Sequence, residues 1–439
     1  MNKKYIVNKI GGGIMVPDLL PLVKKQLLLQ TKQGYTPVVV VSAVKNITDT
    51  IISYLKMLAT KKTKATVENF IIELKDKHLQ LFGEESIQNA DKIFSLLQSD
   101  LETFAHNPTI ELEAKITAYG EKLSATCSAA YFSDKKIKAT AVFAEKIPLL
   151  TDNVIKDADI LYSESEKKFA SYINDMTALP VIAGFTGRTK AGITTLLGRG
   201  GTDTTACFAG AALRAQKVIL WKDVGAVYSA DPKLVLEAHT IPYLSYEEIE
   251  EAGKIIQGKA VQYLRQNKIQ AEIASLKNSK DRTLVIEGKK SKPGTKMVSF
   301  KKNLTLFSLH QGEARGYQRL LEISDLCARY KVEVILIWND PAYLHVAVED
   351  TSGLLNQLNK EIEKKLPQMT ITGVHMITTV GSFSWKDVNK FNEVLYHFDK
   401  KALMGACPYP QSMRMEGLIK DNHDITKLLR IMHKKFIKK

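Results

Sequence analysis

The chain has 439 residues, of which 45% are hydrophobic and 25% charged, a composition that sets aside disordered and fibrous classes. That length exceeds one ordinary core and predicts two or three domains of about 150 residues each. A balance of 62 basic against 47 acidic residues gives +15, but the lysines come as scattered doublets such as Lys24–Lys25 and Lys364–Lys365, a solvated surface rather than a nucleic-acid stripe.

In chain order, "YIVNKI" from Tyr5 to Ile10 reads as a strand, followed by Gly11, Gly12 and Gly13 and a helix carrying Val16, Leu19, Leu20, Val23 and Leu27. Strand, glycine turn and helix is a layout that holds anions. "TPVVVVSAV" from Thr36 has four consecutive valines, which suit a parallel strand covered on both faces. "NITDTI" opens the next helix, and residues from about 50 to 135 read as a helical insertion over the sheet. "LPVIAGFTG" is a further buried strand. "TTLLGRGGTD", Thr194 to Asp203, sets Arg199 between Gly198 and the pair Gly200–Gly201. Such a loop suits phosphate oxygens, and a turn demanded by packing would use the same glycines. "KVILWKDVGAVYSADPK" is a strand that ends in a polar turn. Alternating strands and helices predict an α/β parallel-sheet domain over residues 1–300.

"GKKSKPGTKM", Gly288 to Met297, reads as a surface hairpin or a linker. Beyond it the order β, α, β, β, α, β occurs twice, which predicts two tandem ferredoxin-like modules over 301–439. Cys127, Cys207, Cys327 and Cys407 lie far apart, with no CxxC pair and no histidines at ligand spacing, so neither disulfides nor a protein-held metal is expected. No apolar run approaches 18 residues and the N-terminus lacks a cleavage pattern, so we expect a cytoplasmic protein without a membrane partner.

The central block "GFTGRTKAGITTLLGRGGTD" resembles the glycine loop of the aspartokinase family, within the amino-acid kinase superfamily, with Thr202 in place of that family's serine. "LWKDVGAVYSADPK" resembles its ATP-site segment, keeping Trp221, Asp223, Val224, Tyr228, Asp231 and Pro232, and "VSAVKNITDTI" and "YGEKLS" are similar to two further segments. The two C-terminal modules resemble the ACT pair of that family. The departures are specific. Gly13 and Ile14 stand where the family has threonine and serine, and Lys222 stands for a threonine. Lys233 and Lys146 stand for arginines, and "QGKAVQY" keeps only Lys259 of a later segment.

The resemblance implies transfer of the γ-phosphoryl of ATP, with Mg²⁺, to the β-carboxylate of L-aspartate, the first step of lysine, threonine and methionine biosynthesis. It implies catalysis by Lys9 with Asp152 and substrate contacts from Ser42, Thr48, Glu121, Lys146, Arg199, Gly200, Thr202 and Asp203. Nucleotide contacts would come from Gly11, Gly12, Thr195, Asp223, Tyr228, Asp231, Lys233 and Lys259. A carboxylate acceptor is ionised at neutral pH and needs no general base, which agrees with the lack of histidine in these segments. It implies a homodimer joined through the ACT modules. Each residue also has a plainer reading: Glu121 as a solvated helix acid, Tyr228 and Asp231 as turn formers, Lys222 and Lys233 as surface charge. The alternative function is a pseudokinase that binds nucleotide or amino acid as a regulatory subunit.

Overall fold

Val38, Val39, Val40 and Val41 are fully buried, because their strand lies inside a sheet with helices on both faces. The structure is a computed structural model that describes residues 3–437 apart from 61–65, 136, 224, 254, 279, 289–293, 311–315, 340–341 and 409–412. It divides into two units, one comprising Met1–Val227 with Thr240–Lys292 and the other Tyr228–His239 with Pro293–Lys439.

The first unit runs β1 (Tyr5–Ile10), α1 (Leu20–Lys32), β2 (Thr36–Val41), α2 (Ile47–Ala59), α3 (Val67–Phe82), α4 (Glu84–His106), α5 (Ile110–Thr117), α6 (Tyr119–Phe132) and β3 (Ala139–Val142). It continues with α7 (Tyr162–Asp175), β4 (Leu179–Ala183), β5 (Thr186–Arg188), β6 (Thr194–Leu196), α8 (Gly201–Ala212) and β7 (Lys217–Trp221). It closes with β8 (Tyr243–Ser245), α9 (Tyr246–Glu251), α10 (Gly258–Asn267), β9 (Ala271–Ala274) and β10 (Arg282–Ile286). Its sheet has the order β3-β4-β2-β1-β7-β9-β10-β8, parallel throughout except between β9 and β10. The insertion α2–α6 packs its apolar faces, among them Leu74, Phe94, Leu97 and Leu101, into the same core as β1 and β2.

The first helix starts later than the sequence predicts. Val16 and Leu19 sit in turns, and α1 opens only at Leu20, since Pro17 disfavours helix in the residue before it while Pro21 suits a first turn.

The second unit contains β11 (Gly294–His310), α11 (Gly316–Tyr330), β12 (Glu333–Asn339), β13 (Tyr343–Glu349), α12 (Leu355–Lys365) and β14 (Met369–Ser382). There follow α13 (Trp385–Asp399), β15 (Leu403–Pro408), β16 (Arg414–Lys420) and α14 (Ile425–Phe436). Its six strands form one antiparallel sheet in the order β12-β13-β11-β14-β16-β15. Two ferredoxin-like modules are present, but they are nested rather than laid end to end. The second half of β11, from Leu304, pairs with β13, while its first half pairs only with the part of β14 that adjoins β16. A register shift between Lys301 and Leu304, with Asn303 at φ 57°, marks the change of module. "GKKSKPGTKM" accordingly runs into β11 from Gly294, and its residues 289–293 lie outside those described.

The segment Tyr228–His239 is built into this second unit. Ala230 and Val235 belong to a core with Phe391, Leu428 and Met432, and Ser229 Oγ is 2.9 Å from His433 Nε2 of α14. Arg430 Nε donates to the Leu234 carbonyl at 2.9 Å.

Candidate functional site

Parallel strands in register end together. Ile10 is opposite both Val41 and Trp221, and Val41 is opposite Ala183, so the loops after β1, β2, β4 and β7 share one edge of the sheet. Ligands of open α/β sheets bind outside such carboxyl ends. Helix α8 begins at the same place. Its N-cap is Gly200, whose φ of 72° is a left-handed conformation that glycine takes without a side-chain penalty. A Cβ on Gly12 would lie 2.9 Å from the Ala43 carbonyl oxygen, so the first loop can approach the second only with glycine there.

A cavity of about 340 Å³ opens at this edge. Lys9, Gly12, Ser42, Thr48, Glu121, Arg199, Gly200, Thr202 and Asp203 all line it, a convergence of segments that are far apart in sequence. Lys9 Nζ is 2.8 Å from Asp203 Oδ1, with the pair nearly buried. The approach lies off the hydrogen-bond direction, so the contact is ionic and the carboxylate oxygen keeps its acceptor capacity. Ser42 Oγ donates to Thr202 Oγ1 at 2.9 Å, holding the β2 loop against the start of α8.

Glu121 sits in the first turn of α6 and is 3% exposed, which removes the solvated-acid reading. Its Oε1 accepts from the Ala43 amide at 3.2 Å, while Oε2 has no hydrogen-bond partner among the described residues. Burial pushes its pKa up to about 8 from 4.5, against the opposing hydrogen bond from Ala43. A buried acid with an open oxygen in a polar cavity is a receptor for a cation.

Other sequence candidates have local partners outside the cavity lining. Thr195 is buried in β6 with its hydroxyl 2.8 Å from that of Thr151. Asp152 Oδ1 accepts from the amides of Val154 and Asp159 at 3.2 and 3.3 Å, which shapes a turn. Lys259, at the start of α10, pairs with Asp157 and Asp159 at 2.9 Å each. Lys146 is exposed, in a turn after β3. Gly11 lies against the Lys9 ammonium, and Asp223 follows β7 in the first unit with its carboxylate facing Gly13. Tyr228, Asp231 and Lys233 belong to the second unit, where Asp231 Oδ1 accepts from the Lys233 amide at 2.9 Å.

The structure also brings in residues that the sequence reading passed over. Lys45, Asn46 and Phe185 line the cavity, and Asn46 and Phe185 both have φ of 68°. Left-handed backbone at a phenylalanine is costly and concentrates at functional sites. Lys222 Nζ lies 3.9 Å from Asp203 Oδ2 and donates to the Ile255 carbonyl. Among the described residues no three His, Cys, Asp or Glu side chains gather to hold a metal ion.

A glycine loop, a lysine at a strand end and a helix N-terminus on one edge of a parallel sheet define an anion-binding class of α/β protein. The chain belongs to the amino acid kinase family, whose model matches residues 4–287. It is similar to Aspartokinase 1 of Bacillus subtilis, 33% identical over 180 residues that cover 40% of this chain and 44% of that one. The match thus spans less than half the length of that relative. It is also 26% identical over 400 residues to the chloroplastic Aspartokinase 1 of Arabidopsis thaliana, covering 84% of this chain and 69% of the relative. Among solved structures, E. coli aspartokinase III in complex with aspartate and ADP shares the fold at a TM-score of 0.79 and 20% identity, over 99% of this chain and 100% of that one. The Clostridium acetobutylicum aspartate kinase does so at 0.73 and 17% identity, over 99% and 100% of the two chains.

Proposed function

We propose that the protein is an ATP-dependent aspartokinase that converts L-aspartate to 4-phospho-L-aspartate. The observation that carries this reading is the cavity that Lys9, Arg199 and the start of α8 line together with the buried, half-paired Glu121. Cations and helix amides suit the carboxylates of an amino acid, and an open carboxylate suits its ammonium group. The relative solved with aspartate and ADP supports the same assignment.

An oxygen of the β-carboxylate attacks the γ-phosphorus as the bond from that phosphorus to the β–γ bridging oxygen breaks, and ADP leaves with the electron pair. No proton moves, so no base is needed. Lys9 neutralises charge on the moving phosphoryl group, and Asp203 holds its ammonium in place. Arg199, Ser42, Thr48 and Thr202 orient the acceptor, and Gly11, Gly12 and Asp223 serve the nucleotide. Mg²⁺ fits this donor set as an ion carried on the phosphates, with the Asp223 carboxylate, which faces Gly13, as a protein ligand and most of its shell left to water and substrate. There it would draw charge from the phosphate oxygens.

We assign catalysis to residues 1–300 and regulation to 301–439, in a cytoplasmic homodimer joined through the ACT modules. The half-exposed edge strand β12, with Ile337 at 44% exposure, supports pairing through that sheet. Among the described residues no helix is long and apolar enough to cross a membrane. The test is ADP release by the purified chain with MgATP and a panel of amino and dicarboxylic acids. L-Aspartate should stimulate release, with succinate, which lacks the ammonium group, far behind. Equal stimulation by succinate would remove Glu121 from the reading.

A further inference from the structure

Strands β1 and β7 are parallel neighbours in which Lys9 is paired with Leu220. Side chains alternate along a strand, so Lys222, two residues beyond Leu220, rises on the same side of the sheet as Lys9. Both lysines converge on the first turn of α8. Lys9 approaches Oδ1 of Asp203 at 2.8 Å and Lys222 approaches Oδ2 at 3.9 Å, one lysine to each carboxylate oxygen.

Two carboxylates, Asp203 and Asp223, act on Lys222, and the cluster stands at the positive end of a helix, on the edge where the first unit's parallel strands end, a place that favours a bound anion. Burial disfavours the charged form of Lys222 and lowers its pKa, with Asp203 opposing the shift. Its cost in that place needs a reason. The two lysines also differ in outlook, since Lys9 lines the acceptor cavity and Lys222 does not.

We propose that Lys222 is a second phosphate-contacting lysine, which grips the terminal phosphates of the nucleotide on the donor side of Asp203 while Lys9 acts on the acceptor side. This rests on the kinase reading above. The similar motif has a threonine at this position, so the second cation is a property of this chain. It stabilises negative charge that grows on the leaving diphosphate, and it leaves the acceptor untouched. In the absence of nucleotide Asp203 and the Ile255 carbonyl hold the ammonium in readiness.

The experiment is calorimetric titration of the full chain with ADP and with adenosine, for wild type, Lys222→Gln, Lys222→Thr and Lys222→Arg, beside steady-state kinetics. Gln keeps a donor for the Ile255 carbonyl without the charge, and Thr is a second neutral variant should Gln fold poorly. Both neutral variants should bind ADP about tenfold more weakly and adenosine within about twofold of wild type, with kcat down about a hundredfold and the KM for aspartate unchanged. Arg should recover ADP binding. Neutral variants that bind ADP as wild type does would make Lys222 a tether for Ile255 and overturn the proposal, as would a wild type that binds ADP no better than adenosine. If aspartate-dependent turnover is missing while the ADP effect is present, the function is wrong and Lys222 stands.

Discussion

Around the cavity, Lys9, Ser42, Glu121 and Thr202 arrive from four distant segments and meet on one sheet edge, whereas the stretch from Trp221 to Lys233 is a single run of chain that the two units divide after Val227. The cavity depends on strand register within the first unit. Tyr228, Asp231 and Lys233 depend on the core of the second, where Ala230 and Val235 are buried and Ser229 meets His433. Binding in the cavity should therefore respond to changes in the first unit and not to changes in the second.

The largest effect should come from Lys9→Met, which removes a charge from the reacting centre and should lower kcat about 10²- to 10³-fold. Asp203 then loses its nearer partner, so melting temperature should fall as well. Adding Asp203→Asn should restore stability and not kcat. Recovery of kcat in the double variant would mean the pair is only structural.

The first loop sharpens the comparison at the level of one residue. Ile14 is 1% exposed in the core of the first unit, so Ile14→Ser should cost about 2–5 kcal/mol of stability. Gly13 has φ outside the left-handed region, and a Cβ there would meet only the Asp223 carboxylate at 3.7 Å. Gly13→Thr should fold normally in a thermal melt. A melt as poor as that of Ile14→Ser would mean the loop has no such room.

Glu121→Gln should raise the KM for aspartate about tenfold, the loss of one charge-assisted contact, and leave that for ATP unchanged. In the wild type, amino-acid binding needs Glu121 ionised, so KM should fall as pH rises toward about 8 and then level off. Stability runs the other way. The folded pKa is raised, so the unliganded fold holds the extra proton between 4.5 and about 8 and loses stability across that window as pH rises. Glu121→Gln should remove that loss and melt higher at pH 8.5. A flat difference in melting temperature between pH 5 and 8.5 would contradict the raised pKa.

The smallest effect should come from the second unit. His433→Ala deletes one partner of the Ser229 hydroxyl and should cost about 1 kcal/mol of stability, the worth of one hydrogen bond, with the KM for aspartate unaffected. A rise in the KM for aspartate would dissolve the distinction between the two regions.

Much of this was legible in the sequence. The four valines of β2 and the apolar run of β4 specify buried parallel strands, and the glycines around Arg199 mark a loop that the chain closes with Gly200 in a left-handed conformation. Less legible was what depends on register. A lysine after a strand reads as surface charge, and only the pairing of β1 with β7 brings Lys222 beside Lys9. Thr195, Asp152 and Lys259 look alike in the sequence to residues that line the cavity, and what separates them is a neighbour such as Thr151 or Asp157 that no motif records. The nesting of the C-terminal modules is likewise written in the two-sided pairing of β11, which leaves no mark in the order of elements.

The central claim is that a carboxylate of L-aspartate, held in the cavity, receives the phosphoryl group. The direct measurement is trapping with hydroxylamine during turnover of the full chain with MgATP and L-aspartate, scored against ADP. An acyl phosphate should yield aspartyl hydroxamate in a one-to-one ratio with ADP, and Lys9→Met should abolish both together. ADP binding without hydroxamate, in a folded protein that releases no ADP on addition of aspartate, would contradict the account and leave a nucleotide-binding pseudokinase.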